Sequence, residues 1–298
     1  MDMDKEICLN GLNKRNKPNR WLSDFARNVT SQYGEDGIIE KVLEVIGDNN
    51  KWCMEFGSWD GMHFSNTYNL IKGKDYSAVL IESDARRFKD LLKTYEGNRK
   101  VVPINAFVGF EKHNSLDSLL KNTKIPADFD LLSIDIDGND YHVWECVQRY
   151  KPKVVVIEFN PTIPNSVEFV QPKDVHITQG SSILSIVKIA KLKGYELVAV
   201  THTNAIFVDL KYFGLFGIQD NSVGLMRTDE SSVTYIFNGY DGTVFIRGCG
   251  KLGWHGIHYK ERRMQLLPKW LRKYPKNYDK FSRILVKLYR SLYKRNII

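Results

Sequence analysis

Asp135 and Asp137, in LLSIDIDGNDYHVW, stand one residue apart at the end of an apolar run, where a buried strand would stop. Glu158 and Asn160, in VVVIEFNP, end the next apolar run in the same way. Carboxylates and a carboxamide on neighbouring strand ends make an oxygen-rich group suited to a hard cation such as Mg²⁺. The same four residues can equally form a hydrogen-bonded network that holds the loops, with no metal. Earlier in the chain, Glu55, Gly57 and Gly61 close another apolar run as E-x-G-x-x-x-G. Glycine lets backbone approach a ligand, and a helix that follows offers free N–H groups. The GK[ST] ending of a phosphate loop is absent, and Trp59 occupies the middle glycine position of the dinucleotide pattern. Glu82 ends the next run, in VLIESD, and is placed to accept hydrogen bonds from ribose hydroxyls. Nicotinamide enzymes and methyltransferases share that device. As general base, Asp137 is the first candidate and His142 the second. The other histidines are not ranked by sequence, although His176 lies in a loop that can reach a substrate.

These residues need elements to hold them. The runs KWCMEFG, YSAVLIES, KVVPINA, FDLLSIDID and KPKVVVIEFN are apolar on both faces and alternate with segments of helical character, such as DARRFKDLLKTY. That pattern predicts a parallel sheet covered on both sides, the doubly wound α/β class. A helix is expected over 31–47 with Ser31 as its N-cap, and another over 181–193. Residues 160–180 carry Pro161, Pro164 and Pro172 without periodicity, which predicts a long loop of the lid or binding kind. YELVAVTHTNAIFVDL reads as a hairpin turning near Thr203-Asn204, which gives the sheet one antiparallel strand at or near an edge. A second hairpin is expected over 231–250 around NGYDG, and an amphipathic basic helix in NYDKFSRILVKLYRSLYKR.

The motifs SQYGEDG, EFGSWDGMHFSNT, IESD, LLSIDIDGNDYHVW and VVVIEFNP, in this order, resemble an FkbM-type class I S-adenosylmethionine-dependent methyltransferase domain over roughly residues 31–210. The resemblance implies a seven-stranded, mostly parallel sheet with an antiparallel terminal strand. It implies that Glu55, Gly57 and Gly61 border the methionine part of the cofactor, that Glu82 holds the ribose, and that Asn105 and Ala106 lie near the adenine. Ser65 and Asn66 are implied contacts to the methionine carboxylate, Gln32 and Tyr33 a cap on the same pocket, and Asp135 a further wall. Asp135, Asp137, Glu158 and Asn160 fall where related O-methyltransferases hold a divalent metal. Two departures stand out: Gly138 replaces the lysine that catechol enzymes use as base, and the fifth run ends Glu-x-Asn where theirs ends Asp-Asn. The implied activity is methyl transfer to a hydroxyl of a sugar, glycan or glycosylated metabolite. A non-catalytic binding module of the same fold is the alternative, and an oxidoreductase is disfavoured by the missing dinucleotide pattern.

Of 298 residues, 43% are hydrophobic, enough for a sizeable core. Cys8, Cys53, Cys146 and Cys249 lie far apart with no metal-binding spacing, which fits a reducing cytosol. No stretch has the form of a signal peptide or a membrane span, so a cytoplasmic protein is expected. The net charge of +8 is uneven: residues 251–298 hold 14 Lys/Arg against Glu261 and Asp279, a net of +12. The expected layout is an N-terminal extension (1–30), a cofactor-binding domain (31–215), a β-rich appendage (216–268) and the basic helix (269–298). That helix is expected to pack on the body. Peripheral contact of residues 277–295 with an anionic membrane ranks second, and an acidic body argues against nucleic acid.

Overall fold

The computed structural model describes residues 18–47 and 49–295, so Cys8 and the first seventeen residues of the expected extension lie outside the described residues. The chain forms two compact units, one reaching Asp229 and one beginning at Glu230.

The first unit runs α1 (Glu35–Ile46), β1 (Trp52–Phe56), α2 (Tyr68–Lys74), β2 (Ser77–Glu82), α3 (Ala85–Thr94), β3 (Val101–Asn105), α4 (Leu116–Leu120) and β4 (Leu131–Ile134). It continues with α5 (Asp140–Cys146), β5 (Val154–Glu158), α6 (Ile183–Leu192), β6 (Tyr195–Val200), β7 (Asn204–Asp209), α7 (Leu210–Phe213) and α8 (Val223–Met226). Its seven strands lie in the order β3-β2-β1-β4-β5-β7-β6. All pairs among the first five are parallel, and β7 runs antiparallel to both neighbours. This is the expected doubly wound, mostly parallel α/β sheet with one antiparallel strand near its edge. The central strands read as unbroken apolar runs because helices cover both faces: every residue of β4 is buried, as are Val154–Ile157 of β5. Strand order reverses between β1 and β4, which opens a crevice at their carboxyl ends where such sheets bind ligands.

Three local expectations change. The first helix starts at Glu35, four residues after Ser31. Gly34 at φ 95° breaks the helical path, and the turn before it is gathered by Asp36, whose Oδ2 accepts from Val29 N, Thr30 N, Ser31 N and Ser31 Oγ. The division between units falls after Asp229, because Phe216, Ile218, Val223 and Met226 bury themselves in the first unit's core. Residues 18–30 also belong to that unit: Trp21 and Leu22 are in its core, and Trp21 Nε1 donates to the Phe216 carbonyl.

At the amino edge of the sheet a fully buried ion pair joins the starts of two strands. Lys153 Nζ lies 2.9 Å from Asp130 Oδ1, and Asp130 also accepts from Asn50 N and Lys51 N. The second unit holds hairpin β8 (Thr234–Asn238) with β9 (Val244–Gly248), a short pair β10 (Lys251–Leu252) with β11 (Ile257–His258), and helix α9 (Lys280–Lys294). Cys53, Cys146 and Cys249 are free thiols.

Candidate active site

The loop after β1 is built around one carboxylate. Glu55 Oε2 accepts from Ser65 Oγ at 2.5 Å and Thr67 Oγ1 at 2.8 Å, and Oε1 accepts from Asn66 N at 2.9 Å. Asn66 Nδ2 in turn donates to Ser133 Oγ on β4. Burial raises the Glu55 carboxyl, and these donors pull it part of the way back. Glu55, Ser65 and Asn66 are therefore turned inward, and they shape the loop whose backbone lines the crevice. The two glycines have separate reasons. A Cβ on Gly57 would stand 1.8 Å from the Asp135 carbonyl oxygen, and one on Gly61 would enter Leu91 and Tyr95 of the α3 region. Both have positive φ, at 74° and 75°.

Trp59 and Asp60 now have local roles. Trp59 N donates to Glu82 Oε2 at 2.8 Å, and the Arg87 guanidinium lies 4.4 Å over its ring. Asp60 Oδ1 accepts from Met62 N and His63 N, which holds the outer turn of the loop. Glu82 is buried at the end of β2, with Oε1 accepting from Asp84 N at 2.7 Å. Each of its oxygens keeps acceptor capacity for a ligand hydroxyl. Asn105 sits on the adjacent strand end: its Nδ2 donates to the Glu82 and Ser83 carbonyls, and Ala106 N donates to Glu82 O.

Across the crevice, carboxylate oxygens of Asp135, Asp137 and Glu158 lie within 4.8 Å of one another. No basic side chain pairs with any of them among the described residues. Burial, then the neighbouring acids Asp140 and Asp137, hold the Asp135 carboxyl well above its ordinary range. Glu158 is pushed up to about 10 by burial and then by Asp135. Asp140 contributes charge but is spent on its own turn, accepting from Ile136 N and Gly138 N, and burial raises it to about 6. Asp137 is exposed and holds a left-handed φ of 56°. Acids that keep their protons for want of a counter-ion would release them to a cation, so the residues fit a bound cation with oxygen ligands.

Asn160 is placed differently. Its Oδ1 accepts from Thr162 N and Thr162 Oγ1, and its Nδ2 donates to Gln179 O, so the carboxamide ties the two ends of the 160–180 loop. His142 lies outside the acidic group, buried under the same loop with Nε2 2.8 Å from the Gln171 carbonyl. Gln171 fixes that loop from within, since Oε1 accepts from Gln179 N and Gly180 N and Nε2 donates to Ile177 O. His176 is exposed on it.

Sequence reasoning passed over Glu35. This fully buried residue opens α1, yet its Oε1 accepts from Thr201 Oγ1 at 2.6 Å and Asn204 Nδ2 at 3.2 Å on the far hairpin. Its field also reaches Asp135. An acid in the first turn of a helix is the only signal the sequence carried for it. Tyr33 is exposed and rests against the His202 ring, with 4.9 Å between centroids, while Gln32 points to solvent. Beside them a cavity of about 190 Å³ is lined by Arg20, Tyr33, Thr201, His202, Thr228 and Asp229 among others.

Residues 111–197 match the family model described as the methyltransferase FkbM domain. That span holds Asp135, Asp137, Glu158 and the 160–180 loop. No curated protein sequence matches the chain. Among solved structures, the chain is similar to a SAM-dependent methyltransferase from Aquifex aeolicus, with 14% identity, 70% of this chain and 97% of that chain covered, and a TM-score of 0.36. It is similar also to TrmK of M. capricolum, solved with S-adenosylhomocysteine, at 12% identity, 57% and 67% coverage and a TM-score of 0.36. These two likenesses concern the fold and say nothing of this chain's substrate.

Proposed function

We propose, on the FkbM methyltransferase domain that residues 111–197 match, that the first unit is an S-adenosylmethionine-dependent O-methyltransferase acting on a hydroxyl of a sugar, glycan or glycosylated metabolite. The observation that carries the reading is the crevice between β1 and β4, flanked by the part-buried Asp135 and Glu158 and the exposed Asp137, with no basic partner among the described residues. A sulfonium cofactor is a cation, and acids of this kind ionise against a cation, whereas a phosphate beside them would hold their protons on. Bound there, the cofactor supplies an electrophilic methyl group for in-line displacement. Glu82 then accepts from the ribose hydroxyls, and the strand-end backbone at Asn105 and Ala106 borders the adenine. Gly57 keeps the loop against β4, so that Glu55, Ser65 and Asn66 can fix its course from behind.

An alcohol is a poor nucleophile until it loses its proton, so the acceptor side needs a base or a Lewis acid. Asp137 is the exposed member of the acidic group and takes that proton. Asp135, Asp137 and Glu158 have the donor set for Mg²⁺, which when bound would lower the hydroxyl's pKa and balance their charge. The cavity beside Tyr33 and His202 combines an aromatic face with polar groups, the lining that sugars need. Glu35 joins it to the crevice through Thr201.

Titration calorimetry with S-adenosylmethionine tests the cofactor, and release of S-adenosylhomocysteine over a panel of sugar acceptors, with Mg²⁺ or EDTA, tests the reaction. Binding of the cofactor with no turnover on any acceptor would leave a binding module. NAD binding without S-adenosylmethionine binding would overturn the reading.

A further inference from the structure

We infer that the second unit docks the protein on the surface of an anionic phospholipid bilayer. From Glu230 onward the chain holds 15 Lys/Arg against 4 Asp/Glu. Charge alone would mark only a solvated surface; the apolar residues beside it set this unit apart. Tyr240, at the tip of the β8–β9 turn, is 90% exposed, and Trp254, at the tip of the β10–β11 turn, is 69% exposed. Neither turn needs an aromatic residue. Gly242 and Gly256 take the positive φ values, and Asp241 bonds Thr243, so folding is served without those rings.

Helix α9 repeats the arrangement. Phe281, Ile284 and Leu288 share one strip of it and are each more than half exposed. The strip is flanked on the helix by Lys280 and Lys287, with Arg283, Arg290 and Lys294 behind them. Within its own unit this part of the helix's apolar face is left open. A helix with bare aliphatics beside lysines lies in a lipid interface, and tyrosine and tryptophan at turn tips sit at headgroup depth. No helix among the described residues is long and apolar enough to cross a membrane, which agrees with lying on it.

Charge selects among occupants. A second copy of this unit would bring two strongly positive surfaces together, which Coulomb repulsion opposes. A nucleic acid would satisfy the cations and stack on Tyr240 and Trp254, but it gives Ile284 and Leu288 nothing to bury against. An anionic bilayer satisfies both the charges and the aliphatic strip.

The test is flotation of the full chain with phosphatidylcholine vesicles, with and without about 30% phosphatidylserine. Binding is expected only with phosphatidylserine, and it should fall at least tenfold when salt rises from about 0.05 to 0.5 M. Trp254→Ser with Tyr240→Ser, and separately Ile284→Ser with Leu288→Ser, should each weaken binding more than tenfold while thermal unfolding of the first unit is unchanged. No flotation with phosphatidylserine overturns the inference, as does equal binding by wild type and both pairs of variants. So does a single-stranded RNA that displaces the protein from vesicles and still binds the Ile284→Ser/Leu288→Ser variant normally. Loss of a solution dimer in that variant, without loss of vesicle binding, would assign the strip to a second copy and also overturn it.

Discussion

Glu158 and Asp135 show how far side-chain chemistry depends on neighbours. In the unfolded chain Glu158 loses its proton near 4.5, whereas in the fold it holds it to about 10. Between those values the folded state binds more protons than the unfolded state, so stability falls as pH rises through that window. Denaturant unfolding of the metal-free protein should therefore give a falling midpoint from about pH 5 to pH 9. Glu158→Gln should flatten that slope and raise stability at pH 8 by about 1–3 kcal/mol, while methyl transfer is lost. Mg²⁺ should flatten the slope of the wild type as well; a slope indifferent to Mg²⁺ would argue against a cation among these acids. Glu82→Ala removes the acceptor proposed for the ribose, and calorimetry should show cofactor binding weakened about 10- to 100-fold. Asp137 keeps a left-handed φ without being glycine, as do Trp59 and Phe64 in the loop across the crevice. Such strain persists where the surroundings over-determine it; these three residues sit on the edge that binds ligands in this fold, while Lys51 and Asp75, with φ of 59° and 63°, sit before β1 and β2 at the opposite end.

At the scale of elements, the approach of β1 to β4 is set by Gly57. Gly57→Ala would drive a methyl group into the Asp135 carbonyl and impose a positive φ on alanine. A loss of at least about 2 kcal/mol is expected, read by denaturant unfolding, together with loss of cofactor binding. The opposite edge rests on Lys153 and Asp130, both buried. Lys153→Met would leave the Asp130 carboxylate without its cation and should cost about 3–5 kcal/mol, although it lies away from the crevice and should leave the cofactor affinity of the folded fraction unchanged. The 160–180 loop, irregular in sequence, is fixed by Gln171, Asn139 and Asn160 from inside. Its position is thus built by side chains reaching backbone carbonyls, a pattern that has no periodicity to detect.

For the whole molecule, charge and chemistry are separated. The first unit carries the acidic crevice, and the second carries the basic and aromatic surface. A chain ending at Asp229 should unfold cooperatively and bind S-adenosylhomocysteine within about twofold of the full chain. A chain ending at residue 215 should not, because it lacks Phe216, Ile218, Val223 and Met226 from the core.

The sequence alone determined the order and type of the elements, since buried parallel strands must be apolar throughout and a sheet of this class must alternate them with helices. It also determined which strand ends carry acids, because Glu55, Glu82, Asp135 and Glu158 each close an apolar run. What each acid does was decided only by the tertiary structure. Glu55 is saturated by donors from its own loop, Glu82 keeps free lone pairs, and Asp135 and Glu158 face each other without a counter-ion. Glu35 joined them from a helix start distant in sequence, and His142 was drawn under a loop. Desolvation and hydrogen-bond saturation depend on what the fold packs around a group, and those neighbours lie tens to hundreds of residues away along the chain.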